Sequence, residues 1–242
     1  MSGASFVHLV IPAYNEGRRL PAYLPRLCKT LANASHSWRI TIIDDGSRED
    51  DSRAMQECAR LSGSRVAFHK LPVNLGKGAA VYSGWDLDQE SEWLGLLDAD
   101  GSIPPHEVVR LLRLLDADCA PDALFCSRCK ILGRNVHRSW FRHLCGRIFA
   151  TFVCLATGIP VYDSQCGFKL VRRKCYEAVR STLREKRFAF DVELLVALTQ
   201  SGATIVEVPI DWSDVSGTKV HFVRDTVQML MAIVSLKMRD SS

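Results

Sequence analysis

A chain of 242 residues, 47% hydrophobic and 24% charged, has enough apolar material for a sizeable core in one domain, two at most. That composition excludes a disordered tail, a collagen-like fibre and a small disulfide scaffold. The net charge of +4 selects no partner, but it is unevenly spread: Arg128, Lys130, Arg134, Arg138, Arg142 and Arg147 follow one another without an acid, while carboxylates gather at residues 44–51 and at Asp98 and Asp100.

Taken in chain order, the first half alternates strand and helix patterns, as in an α/β fold with a mostly parallel central sheet flanked by helices. Residues 6–11 (FVHLVI) read as an apolar strand ended by Pro12. A helical stretch spans 16–33, which Pro21 and Pro25 are expected to break or kink. Residues 39–43 (RITII) form a second strand, and in the Asp44-Asp45-Gly46-Ser47 cluster after it Ser47, or else Asp50, is expected to cap a helix over 51–61. A strand over 65–70 leads through a loop to a helix over 78–87, and residues 93–97 (WLGLL) make a fourth strand ended by Asp98-Ala99-Asp100. The second half reads as a helix over 105–115, a strand over 123–127, a basic and aromatic segment over 134–155, a strand over 167–171, a helix over 190–200, a strand over 204–209 and a helical segment over 220–238. No repeat, low-complexity tract or linker divides the chain, so one domain over 1–242 is expected.

The nine cysteines are odd in number and scattered, and no signal peptide opens the chain, so a reduced cytosolic setting is expected. Cys126 and Cys129 form a C-x-x-C without a second pair at zinc spacing, and read better as thiols at a strand end than as a metal or redox centre. The longest apolar run, 148–161, falls short of the roughly 18–20 residues that span a bilayer. The protein is therefore expected not to be integral to a membrane, although it can lie on one.

In open α/β sheets ligands bind at the carboxyl ends of the strands, so the ends at 12–16, 44–47 and 98–100 should converge on one site. Asp98 and Asp100, one residue apart at a strand end, point the same way because side chains alternate. Hard oxygen ligands so placed suit Mg²⁺ or Mn²⁺ bridging the phosphates of a nucleotide; the plain alternative is a solvated turn. A rival chemistry is that of the haloacid-dehalogenase phosphatases, with Asp98 as nucleophile, Asp100 as acid/base and Lys169 downstream, but the further acidic pair that closes their magnesium site is missing. Residues 71–78 (LPVNLGKG) match neither a Walker A loop nor a dinucleotide turn. Their amides can cradle a pyrophosphate with Lys77 neutralising one charge, or they simply enter a helix.

The ordered set VIPAYNE (10–16), IIDDGS (42–47), NLGKG (74–78), DADGS (98–102), DSQCGFKL (163–170), FAFDVELL (188–195) and VPIDWSDVSGTK (208–219) resembles family-2 glycosyltransferases of the polyprenyl-phosphate branch. It is most similar to the dolichyl-phosphate β-glucosyltransferases, with the dolichyl-phosphate mannose synthases next. The resemblance implies a GT-A fold, with a nucleotide-binding half at about 1–102 and an acceptor-side half at about 103–242. It implies that Pro12, Tyr14, Asn15 and Glu16, with Asp44, Asp45, Gly46 and Ser47, line the base and ribose pocket. Lys77 then approaches the donor phosphates, and Asp98, Ala99 and Asp100 form the metal-binding D-x-D, with Asp98 and Asp100 as ligands. Asp163, Ser164, Gln165, Gly167, Phe168 and Lys169 line the sugar and acceptor side. The loop with Trp212, Ser216 and Lys219 resembles the segment that closes over the donor. Gly101-Ser102 after D-A-D favours a glucose-type donor, UDP-glucose over GDP-mannose. The glucosyl enzymes of the family carry an N-terminal anchor and many relatives carry C-terminal spans, neither of which is seen here, so peripheral attachment at the cytoplasmic face of a membrane is expected.

The residue types suit that chemistry. A divalent ion and lysines stabilise a leaving diphosphate, and a lipid phosphate, already ionised, attacks the anomeric carbon without a strong base and inverts it. Asp191 or Glu193 orients the acceptor or the sugar hydroxyls, or both simply favour the first turn of a helix. Arg134, Arg138 and Arg142, four apart, share a face if helical, and with Trp140, Phe141, Leu144, Ile148, Phe149 and Phe152 they read as a membrane-facing helix that docks a lipid phosphate; the alternative is a solvated arginine face over packed core. No nucleic-acid signature accompanies this basic stretch. Three functions follow: glucosyl transfer to a polyprenyl phosphate, transfer to a soluble or cell-wall acceptor, or a silent nucleotide-sugar-binding module.

Overall fold

The computed structural model describes residues 6–117, 119–137 and 140–215, with backbone alone at 140–143. Its strands are β1 (Phe6–Ala13), β2 (Ser37–Asp44), β3 (Val66–Lys70), β4 (Trp93–Leu97), β5 (Ala123–Ser127), β6 (Val136–His137), β7 (Phe168–Arg172), β8 (Ile205–Pro209) and β9 (Trp212–Ser213). Seven form one sheet in the order β3-β2-β1-β4-β7-β5-β8, and β6 and β9 pair separately. Every pair in the large sheet is parallel except those of β7, which runs antiparallel to both β4 and β5.

The alternation of side chains along each strand divides the core in two. Val7, Leu9 and Ile11 of β1 join one cluster with α1 (Arg19–Leu31), α2 (Glu49–Leu61) and α4 (Pro105–Arg113). Val10 points through the sheet to α3 (Lys77–Asp86), α6 (Arg173–Val179) and α7 (Phe190–Gln200). Because helices cover both faces, β4 is buried at all five positions and reads as an unbroken apolar run. A further helix, α5 (Trp140–Thr157), turns Phe149 and Val153 onto Val192 of α7.

Several expectations need correction. The first helix is continuous through Pro25. Pro21 sits in its first turn, where no amide partner is needed, and Leu20, Tyr23, Leu24, Leu27 and Leu31 are all buried. At about 1.5–3 kcal/mol per buried large apolar side chain, that stripe outweighs the roughly 3 kcal/mol cost of an interior proline. Neither Ser47 nor Asp50 caps α2: its N-cap is Arg48, without a side-chain cap bond. The short helix α6 and the strands β6 and β9 carry no periodicity long enough to read. The segment expected as a helix over 220–238 lies outside the described residues.

Candidate active site

Strand order reverses between β1 and β4, and at their carboxyl ends the loops after β1, β2 and β4 meet, as expected. The first two are tied together by Asn15, held at φ 55°. Its amide donates to Ser47 Oγ (2.7 Å), and its Oδ1 accepts from the Arg48 amide (2.8 Å). Ser47 is thus occupied by the neighbouring loop, which is why it does not cap its own helix. Asp44 is fully buried; its Oδ1 accepts from the Ser47 amide (2.9 Å), and its Oδ2 has no hydrogen-bond partner among the described residues. Asp45 faces the other way. Its carboxylate accepts the amides of Leu75 (2.7 Å) and Gly76 (2.9 Å), and its carbonyl accepts from Asn74 Nδ2 (3.2 Å). Burial pushes the Asp45 carboxyl above its ordinary value against the pull of those amides. Both oxygens of Asp45, expected at the nucleotide, thus shape the lysine loop. Pro12 is half-buried and Tyr14 exposed, and Gly46 packs against the backbone of residues 73–74. Glu16 is buried and chelated by Arg19, through Nε (2.6 Å) and Nη2, so its carboxylate is less available to a ligand than expected.

Asp98 and Asp100 do share a side, with Ala99 between them turned into the core. Ala99 therefore offers the site only its backbone. Asp98 Oδ1 pairs with Lys77 Nζ at 2.7 Å, and Lys77 extends over the Phe190 ring. Burial pulls the Lys77 ammonium down, but Asp98, Asp191 and Asp100 together raise its pKa above the ordinary lysine value. Gly167 is required here: a Cβ would lie 1.9 Å from Asp98 Oδ2, and its carbonyl accepts the Asp98 amide (2.9 Å). Asp100 Oδ1 accepts from the Ser102 amide (2.9 Å). Burial pulls the Arg19 pKa down, but Glu16, with Asp100 and Asp98 nearby, together raise it above the ordinary arginine value. Two carboxylates at a rim, one already carrying an ammonium, fit a hard divalent ion that takes its remaining ligands from phosphates and water. Among the described residues three metal-ligating side chains come close together only at His106, Glu107 and Asp211, where Arg110 and Arg134 already neutralise Glu107.

The far side of the site is held by ion pairs the sequence did not disclose. Arg128 chelates Asp163 through Nε (2.6 Å) and Nη2 (2.7 Å), beneath the Trp212 ring. Glu207 of β8 accepts the amides of Tyr162 (2.8 Å) and Asp163 (2.7 Å), fixing the start of the D-S-Q turn. Burial pushes Glu207 above the ordinary glutamate value, although those amides oppose it. Within the turn Ser164 is buried with no hydrogen-bond partner for its hydroxyl among the described residues, and Gln165 donates through Nε2 to the Phe188 carbonyl (3.2 Å). The assignment of Lys169 to the acceptor phosphate is corrected. It is fully buried, paired with Asp191 at 2.6 Å and bonded to the Cys166 carbonyl (2.7 Å), because β7 lies between β4 and β5 with both faces covered. Asp191, likewise buried, is raised by burial against the pull of Lys169 and Lys77, so it acts as a fixed partner of the lysines and not as an open base. Glu193 accepts the amides of Arg184 (2.9 Å) and Glu185 (2.7 Å), a structural role.

The arginine face expected over residues 134–142 does not form as one helix. Arg134 lies before the strand β6 and pairs with Glu107 (3.1 Å), so it is not on the helix described over Trp140–Thr157. Arg138, Ser216 and Lys219 lie outside the described residues, as does the side chain of Arg142. On α5 Phe149 is buried, which corrects its assignment to the outer surface, whereas Leu144, Ile148 and Leu155 are exposed along one face.

The glycosyl transferase family 2 model matches residues 8–180. A dolichyl-phosphate beta-glucosyltransferase of Dictyostelium discoideum is 30% identical over 97% of the chain and 74% of its own length, and that of Mus musculus is 30% identical over 96% and 74%. Among solved structures, glucosyl-3-phosphoglycerate synthase of M. tuberculosis superposes with a TM-score of 0.71 at 15% identity, covering 96% of this chain and 80% of that one. The same protein in complex with Mn²⁺ and UDP-glucose gives 0.71 at 16%, over 96% and 79%. These structures share the GT-A architecture with the chain.

Proposed function

The chain belongs to glycosyl transferase family 2, and from that premise we propose that it transfers glucose from UDP-glucose to a dolichyl or other polyprenyl phosphate, inverting the anomeric centre. The observation that carries this reading is the meeting of Asp44, Asp98, Asp100 and Lys77 at one rim of the sheet, in a chain whose relatives over 96% of its length are named dolichyl-phosphate beta-glucosyltransferases. Asp44, with a buried oxygen that has no hydrogen-bond partner among the described residues, suits a hydroxyl or ring N–H of the nucleoside. Asp98 and Asp100 would hold Mg²⁺ or Mn²⁺, which offsets the charge of the departing diphosphate when bound. Lys77, kept cationic by its carboxylate neighbours, stabilises the same charge.

The acceptor phosphate oxygen forms the new bond to the anomeric carbon as the bond to UDP breaks, so an α-linked donor yields a β-linked sugar phosphate. An ionised phosphate needs no protein base, which agrees with Asp191 being locked to Lys169. Gln165 and Ser164, on a turn fixed by Arg128 and Glu207, then serve to orient sugar and acceptor. Leu144, Ile148 and Leu155, four and seven residues apart, form the face of α5 that meets a membrane, and in this reading the protein works peripherally at the cytoplasmic face. No described helix is long and apolar enough to cross a membrane.

Radiolabelled UDP-glucose, Mn²⁺ and a polyprenyl phosphate in vesicles test the proposal. Label is expected in the lipid phase, with product lost on chelation. No lipid-phase label, or label transferred instead to 3-phosphoglycerate, would overturn the lipid acceptor.

A further inference from the structure

The segment over 184–189 (REKRFA) bridges the two sides of the site, and its first four residues, Arg184 to Arg187, belong to none of the motifs above. Its backbone is fixed at three points. Glu193 accepts the amides of Arg184 and Glu185, the Lys186 carbonyl accepts the Ala79 amide (3.0 Å), and the Phe188 carbonyl accepts from Gln165. It lies directly on the lysine loop: Gly76 has φ 105°, and a Cβ there would be 2.5 Å from the Lys186 carbonyl and 3.1 Å from Arg187 Cγ. The backbone approach that Gly76 permits therefore brings Arg187 over the loop that carries Lys77.

The guanidinium of Arg187 is solvent-exposed and makes no hydrogen bond or ion pair with any described residue, although Asp45 is near enough for its charge to register there. Lys77, by contrast, already has Asp98 as a partner. A guanidinium carried on a fixed backbone and uncommitted among the described residues is available as a fork for phosphate oxygens. We propose that Arg187 binds a phosphate of the nucleoside diphosphate donor, acting with Lys77 from the opposite side of the Gly76 loop. This rests on the donor reading given above. A phosphate could also arrive on the lipid acceptor, since Phe188 touches the D-S-Q turn, but the contacts of Arg187 itself are with Gly76 and the Asp45 side.

Calorimetry on the full chain with Mn²⁺ tests this, using UDP and uridine as ligands and comparing wild type, Arg187→Ala and Arg187→Lys. Arg187→Ala should weaken UDP binding by about tenfold to a hundredfold, the range for charge-assisted hydrogen bonds. Uridine affinity should stay within about twofold, Arg187→Lys should recover part of the loss, and thermal midpoints should stay together because the side chain is exposed. Equal UDP affinity in wild type and Arg187→Ala would overturn the assignment. So would a loss confined to the KM for polyprenyl phosphate, which would give the guanidinium to the acceptor. Failure of the wild type itself to bind UDP would instead sink the donor reading, and this inference with it.

Discussion

The two edges of the central sheet use the same chemistry to opposite ends. At the amino edge, His8 lies buried between Thr41 Oγ1 (2.8 Å) and Asp88 Oδ2 (3.2 Å). Asp88 also accepts from Ser91 and pairs with Arg173 (3.5 Å), and Arg173 donates to the Ser91 carbonyl (2.6 Å). The Asp88 carboxylate there is met by the protein's own Ser91, His8 and Arg173. At the carboxyl edge Asp44 Oδ2 and Ser164 Oγ are buried without hydrogen-bond partners among the described residues, and Asp98 and Asp100 stand half-exposed. Desolvated polar atoms cost about 1–3 kcal/mol each when unpaired, so a fold keeps them where a ligand completes them. The contrast separates carboxylates that stabilise the protein from those that await a substrate.

Asp100→Ala should break the comparison on the functional side. Mn²⁺-dependent glucosyl transfer is expected to fall by roughly a thousandfold, about 4 kcal/mol in the barrier, while the thermal midpoint stays close to wild type; steady-state assays beside calorimetric melting check both. At the other edge, Asp88→Ala should cost about 2–3 kcal/mol of stability, because Arg173 and Ser91 lose a buried charged partner. Here the urea midpoint should drop while KM for UDP-glucose is unchanged, and a variant as stable as wild type would dissolve the distinction.

The smallest effect sharpens the comparison through pH. Burial lowers the His8 pKa from 6.5 to about 4, with Asp88 opposing and Arg39 and Arg173 assisting. Since the unfolded chain binds this proton near 6.5 and the folded one only near 4, stability is fully present above 6.5 and is lost as pH falls between the two values. From pH 7 to pH 5 the loss is about 2 kcal/mol. Urea titrations at those pH values should show it in wild type, and a His8→Gln variant should lack that component.

Much of the architecture was legible. The strands β1 to β5 and the helices between them carry apolar runs or amphipathic periods bounded by Pro, Gly and Asp, which are local signals. The D-x-D pair and the meeting of three strand ends followed from strand alternation and sheet topology, and the structure brings them together. Arg128, Arg187 and Glu207 were not singled out, because each acts on a segment remote in the chain. Glu207 reaches the amides of residues 162–163, and Arg187 lies over Gly76.

What the sequence by itself determined is therefore the set of elements and the carboxylates at the strand tips, both properties of neighbouring residues. Only the tertiary structure decided which charges are free. It turned Lys169 inward onto Asp191 by enclosing β7 between β4 and β5, committed Asp45 to the lysine loop and Arg134 to Glu107, and left one oxygen of Asp44 and the guanidinium of Arg187 without a partner among the described residues. The physical reason is that a charge is neutralised by whatever lies within a few ångströms of it, and that neighbour is chosen by packing across the sheet and not by position along the chain.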